Sequence, residues 1–192
     1  MKTMRFAAAA AALAAVAVAP SARAADSTRG PWYVDVSPAG FGLLTTCLNN
    51  QIVVNNGIPS SPTNTVCGTG SAYRADIEGG YHFSKRHDGF TLGIRQVLYV
   101  AGGVAGSSLV RFGYDIAVPI KDFELTIAPF VNAGVAYNMV TDGAVVFAFA
   151  GGIDVKFFIT KAFYLFARPA ELGAWIPGGF VYQAGIGAGL AF

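Results

Sequence analysis

Three observations predict an all-β fold, an eight-stranded antiparallel transmembrane β-barrel. The last segment, Phe180 to Phe192, carries an apolar residue at every even position and Gly at three of the six odd ones, with Gln183 among them. A pleated strand sends successive side chains to opposite faces, so this alternation gives one face to lipid and the other to a crowded or polar interior. The chain is also 54% hydrophobic and only 12% charged, whereas soluble proteins are about 25% charged. Something other than water must therefore cover much of it. Finally, the longest apolar run after the amino-terminal segment, Gly143 to Ile153, has 11 residues between Asp142 and Asp154, and a spanning helix needs about 20. Lipid then leaves a closed barrel, because an open sheet edge would strand unpaired backbone groups in hydrocarbon.

Along the chain, Lys2 and Arg5 precede the apolar stretch Phe6 to Ala19, and Pro20-Ser21-Ala22-Arg23-Ala24 supplies the A-x-A spacing of a signal-peptidase site. Residues 1–24 are expected to be an export signal, with an apolar core of 14 residues too short to anchor. Residues 25–192 form the barrel domain. Three of the 13 Lys and Arg leave with the signal while all 11 acids stay, so the formal net charge falls from +2 to −1. A nucleic-acid role has no electrostatic support in such a chain.

Eight strands are expected, over 32–44, 71–84, 90–100, 107–119, 123–138, 144–158, 163–175 and 180–192. The first opens on Trp32 and carries Asp35. In the second, Tyr73, Ile77, Tyr81 and Phe83 oppose Arg74, Asp76, Glu78, Gly80 and His82. The turn Lys85-Arg86-His87-Asp88-Gly89 leads to the third, which holds Arg95, and Ala101 to Gly106 to the fourth. There Val110, Phe112, Tyr114, Ile116 and Val118 oppose Arg111, Gly113 and Asp115. Lys121-Asp122 precedes the fifth strand, with Glu124 near its start, and Thr141-Asp142-Gly143 precedes the sixth. In the sixth, Val145, Phe147, Phe149, Ile153, Val155 and Phe157 oppose Ala148, Gly152, Asp154 and Lys156. Thr160-Lys161 opens the way to the seventh, where Arg168 and Glu171 differ in parity. A bulge at Pro169, which donates nothing to the ladder, would turn both inward. Ile176-Pro-Gly-Gly179 separates it from the eighth. A soluble β-sandwich could show the same alternation, but its strands are usually about 5–6 residues long, roughly half the length expected here.

The charged face therefore lines the lumen, with Asp35, Arg74, Asp76, Glu78, Arg95, Arg111, Asp115, Glu124, Asp154, Lys156, Arg168 and Glu171 as its members. Buried charges must be paired, since isolated ones cost several kcal/mol. An eight-stranded lumen is about as wide as side chains can fill, so a salt-bridged plug is expected ahead of a pore. Inward glycines at 80, 93, 113, 134, 152, 185, 187 and 189 either leave space or let long Arg and Lys chains lie across the lumen. Aromatic residues fit two interfacial girdles, with Trp32, Phe83, Phe90, Phe123, Phe163 and Phe192 at the periplasmic ends. Tyr73, Tyr137, Phe147, Trp175 and Phe180 form the other.

The one long connection, 45–70, is extracellular if the termini are periplasmic. Cys47 and Cys67 bracket its Asn-, Pro- and Ser-rich middle, and in an exported protein such an even pair predicts a disulfide. Closing some 20 residues stabilises by about 3 kcal/mol in the loop-entropy picture. The loop is either a binding site for an extracellular ligand, such as a surface partner or phage, or a protease-resistant tether with no partner.

The signal, the strand count and the ending Gly185-Ile-Gly-Ala-Gly-Leu-Ala-Phe192 resemble the eight-stranded outer-membrane barrel superfamily. That group includes the transmembrane domain of outer membrane protein A and its small relatives. The resemblance covers nearly all of 25–192 and implies a bacterial outer-membrane location. Its terminal signal implies a biogenesis role for Tyr182, Leu190 and Phe192, read by the barrel assembly machinery. The absence of a domain after the barrel argues against peptidoglycan anchoring. Some barrels of this size are lipid A acyltransferases or deacylases, but the only histidines, His82 and His87, fall at the periplasmic side, away from outer-leaflet substrate. Two histidines and one Cys pair fall short of a zinc site, and no cofactor is expected. The expectation is a monomer, not an enzyme, contacting outer-membrane lipid, with a structural or surface-interaction role. The alternative is a narrow pore lined by Arg74, Arg95, Arg111, Asp115, Asp154 and Arg168, and the third reading is a lipid A-modifying enzyme using His82.

Overall fold

The computed structural model describes residues 30–49, 54–55, 58–59, 65–84, 88–100, 104–120, 123–138, 145–176 and 179–192. The expected signal at 1–24 and His87 lie outside them. The described chain forms eight barrel strands: β1 Trp32–Asn49, β2 Thr65–His82, β3 Gly89–Val100, β4 Val104–Ile120, β5 Phe123–Asn138, β6 Val145–Phe158, β7 Phe163–Ile176 and β8 Gly179–Ala191. Each pairs antiparallel with its sequence neighbours, and β1 pairs with β8 to close the barrel. Closure is completed by reciprocal backbone bonds in which Trp32 N–H donates to Phe192 O at 3.1 Å and Phe192 N–H donates to Trp32 O at 2.9 Å. Every strand thus has two neighbours over its central length, which is the condition for crossing hydrocarbon.

The alternation read from the sequence is realised as an inverted protein. Outward positions are large and apolar: Ile94 is 70% exposed, Leu172 65% and Phe180 72%. Inward positions include buried Arg74, Arg95, Arg111 and Arg168. A water-soluble molecule does not expose a continuous apolar wall of this kind, so the surrounding medium is a bilayer.

Two one-residue register slips set which residues enter the lumen. In β1 the pairing with β2 and with β8 shifts between Ser37 and Gly40 and between Val36 and Ala39, around Pro38. In β7, Arg168 pairs with Gly185 while Glu171 pairs with Gln183, so three steps on one strand oppose two on the other. Pro169 and Ala170 face outward there, and Arg168 and Glu171 are both buried. The bulge anticipated at Pro169 is the device that reconciles their parity.

Two expectations need correction. The stretch 45–70 is not one loop, because β1 and β2 stay in register through Thr45↔Thr69 and Cys47↔Cys67 to Asn49↔Thr65. Beyond the bilayer the pairing no longer needs apolar alternation, so the polar Thr- and Gly-rich run conceals strand from a reading based on hydrophobic period. Between the two strands, Val54–Asn55 pairs with Ile58–Pro59, and the rest of that segment lies outside the described residues. Trp175 also leaves the expected girdle. After the bulge it turns inward and packs edge-on against Tyr99, with ring centroids 5.7 Å apart.

Candidate functional site

The lumen is filled in three layers. Farthest from the termini, Ala72, Val97, Tyr99, Leu109, Ala136 and Ala148 form a buried apolar cluster with Trp175 packed against it. These residues come from five strands, β2 to β6, and meet only because closure faces them across a narrow interior. Tyr99 is anchored by its hydroxyl, which donates to Gln183 Oε1 at 3.0 Å. This layer is largely apolar and lies toward one end of the lumen.

The middle layer pairs four guanidinium groups with four carboxylates. Glu171 accepts from Arg95 Nη1 at 2.9 Å and Nη2 at 3.1 Å, and from Asn132 Nδ2 at 3.0 Å. Asp76 forms an ion pair with Arg74 and also meets Arg95 at 3.3 Å and Arg168 at 3.4 Å. Asp154 accepts from Arg168 Nε at 2.6 Å and Nη2 at 2.8 Å, and from Arg111 Nη2 at 2.8 Å. Glu78 accepts from Arg111 Nη1 at 2.9 Å and from the Tyr33 hydroxyl at 2.8 Å. Forked guanidiniums suit this geometry, since each can serve two carboxylates in its plane. Desolvating charges is tolerable when each is paired and further hydrogen-bonded; Arg74 meets only the first condition, with ion partners in Asp76 and Glu171 but no hydrogen bond from its guanidinium. The arginines also use the Phe130 ring, with Arg111 Cζ 3.9 Å and Arg168 Cζ 5.0 Å from its centroid.

Nearest the termini, Lys156 Nζ donates to both oxygens of Asp115 at 3.0 and 3.1 Å, and the Tyr164 hydroxyl donates to Asp35. Phe158, Tyr164, Phe166 and Ala191 pack beneath them. Glu124 is only half-buried, at the end of β5 beside Thr126, whose hydroxyl lies 3.2 Å away. It belongs to the rim, whereas the other eleven predicted lumen charges are buried.

Aromatic fillers are the residues the sequence reading missed. Tyr33 lies across Gly80 and Gly93, where a Cβ would come within 2.5 and 2.6 Å of its ring and hydroxyl. Phe130 likewise covers Gly152, with 2.8 Å to a Cβ built there. Much of the room left by inward glycines is taken up by rings as well as by guanidinium chains, and the signal was present in the parity shared by Tyr33 and Asp35. An outward polar trio was also missed: Ser108 Oγ donates to Gln96 Oε1 at 2.6 Å, and Gln96 Nε2 donates to Tyr137 Oη at 2.5 Å.

Chemically, the interior is a lattice of six buried carboxylates and five buried cations, the sixth carboxylate, Asp35, being met by the Tyr164 hydroxyl. Among the described residues, no three of His, Cys, Asp and Glu gather as metal ligands. Tyr182, Leu190 and Phe192 all face outward on the last strand. Cys47 stands directly opposite Cys67 in the β1–β2 ladder.

No protein-family model and no curated protein matches the chain. Among solved structures, Neisserial surface protein A (NspA) is similar at 8% identity and TM-score 0.52, over 84% of this chain and 97% of that one. Ail, the attachment invasion locus protein of Yersinia pestis, aligns at 13% identity and TM-score 0.45, over 85% and 99%. The N-terminal β-barrel domain of Pseudomonas aeruginosa OprF aligns at 14% identity and TM-score 0.46, over 82% and 99%. The fold is that of the small eight-stranded outer-membrane barrels, and the apolar outer wall is a surface that a bilayer covers.

Proposed function

We propose that the protein is a non-conducting outer-membrane barrel whose filled lumen serves rigidity, and that any partner is met at the β1–β2 hairpin. The observation that carries this reading is the stacking of an apolar layer, a charge-paired layer and an aromatic layer across the lumen. An ion would have to break several buried pairs at once to pass, and the removal of one partner from such a pair typically costs about 3–5 kcal/mol. With the termini periplasmic, the paired extension beyond Thr45 and Gly70 projects outside the cell. The register of Cys47 and Cys67 supports a disulfide there: directly opposed antiparallel residues have Cα atoms about 4.5–5.5 Å apart, inside the roughly 4.4–6.8 Å window of disulfides. The outward Tyr182, Leu190 and Phe192 suit recognition by the barrel assembly machinery. A lipid-modifying role loses support because His82 is buried inside the wall, away from lipid.

The test is to refold residues 25–192 in detergent, establish folding by a gel-mobility shift on heating, and record current across a planar bilayer. Heat-modifiable protein without conductance steps is expected, for the wild type and for folded Arg111→Ala. Reproducible steps from the wild type that change in Arg111→Ala would replace this reading with the pore.

A further inference from the structure

At the end of the lumen nearest the termini, His82, Asp115, Lys156, Tyr33 and Tyr164 line a cavity of about 20 Å³. One water needs about 10–15 Å³ on this measure, so the space suits a single small molecule. His82 is 7% exposed, and its Nε2 has no hydrogen-bond partner.

The other ring nitrogen is already engaged: His82 Nδ1 lies 2.7 Å from Ser84 O and 3.3 Å from Ser84 N. Nε2 stands 3.9 Å from Asp115 Oδ2. That separation is too long for a direct hydrogen bond and leaves two polar atoms facing one gap.

The charges around the gap select its occupant. A cation is disfavoured because the Lys156 ammonium lines the same cavity and already binds both Asp115 oxygens. An anion is disfavoured by the Asp115 carboxylate. A neutral molecule that can both donate and accept suits the carboxylate and the ring nitrogen together. We propose that this cavity is a one-water site, in which the water bridges His82 Nε2 and Asp115 Oδ2 and donates to the carboxylate.

The site also defines how far water penetrates from this mouth. Immediately above it, Tyr33 spans Gly80 and Gly93 and donates to Glu78, which separates the water from the arginine layer.

NMR of histidine- and tyrosine-labelled protein in nanodiscs tests this, with His87→Asn leaving His82 as the single histidine. A long-lived water should give cross-peaks to the His82, Tyr33 and Tyr164 ring protons, and His82→Phe, verified as folded by heat modifiability, should lose those to the tyrosines. A folded wild-type barrel without the water cross-peaks would overturn the proposal.

Discussion

Asp154 shows what a single residue contributes to this barrel. It sits fully buried, and three guanidinium N–H groups from Arg111 and Arg168 converge on its carboxylate. Asp154→Asn would leave two buried cations facing a neutral amide, with one of its two heteroatoms a donor. The expected loss is about 3–5 kcal/mol, read from urea unfolding of the refolded protein in vesicles. Lys161→Gln in the exposed β6–β7 turn should stay within about 0.5 kcal/mol. At this scale most inward charges were legible from parity, because the pleat assigns faces without reference to the rest of the fold; Glu124, at the rim, was not, and Arg168 and Glu171 needed the bulge as well. The inward rings were not, because an aromatic residue in a membrane strand suits lipid or lumen equally well by composition.

At the scale of elements, both bulges carry a proline and both are capped by an outward tyrosine. The Tyr73 hydroxyl donates to Pro38 O in the β1 bulge, and the Tyr182 hydroxyl donates to Pro169 O at 3.0 Å in the β7 bulge. A slipped register frees a carbonyl from the ladder, and no water is at hand in hydrocarbon to satisfy it. Tyr182→Phe is expected to lower stability by about 1 kcal/mol. Tyr114→Phe, on the outward face of β4, should leave the same unfolding midpoint unchanged. The β7 bulge was readable because Arg168 and Glu171 conflict in parity. The β1 bulge carried no such conflict, since its inward residues on either side are Ser37 and Gly40.

The β1–β2 extension belongs to the same scale. If Cys47 and Cys67 are joined across the ladder, the intact mass of the exported protein is about 2 Da below that of its reduced form. Reduction should then lower stability by about 3 kcal/mol or less, the loop-entropy value for some 20 residues. A mass unchanged by reduction would remove the disulfide from the account.

For the whole molecule, the layers close the lumen redundantly. Tyr99→Ala would open space in the apolar layer and cost roughly 3–5 kcal/mol, as large-to-small aromatic substitutions do. The arginine layer beneath would still block passage. Lower urea stability without conductance is therefore expected, and steady current from folded Tyr99→Ala would show that the apolar layer alone is the seal.

Strand number, the lipid-facing side of the strands and the inward set of charges were determined by the sequence by itself. Each follows from alternation, a local consequence of the pleat that a short window displays. Which charge meets which was decided only by the tertiary structure. Arg95 and Glu171 are 76 positions apart, and they touch because closure of β1 on β8 brings opposite walls within one side chain of each other. The length of β1 and β2 beyond the bilayer was likewise hidden, since backbone pairing in water leaves no hydrophobic period to read.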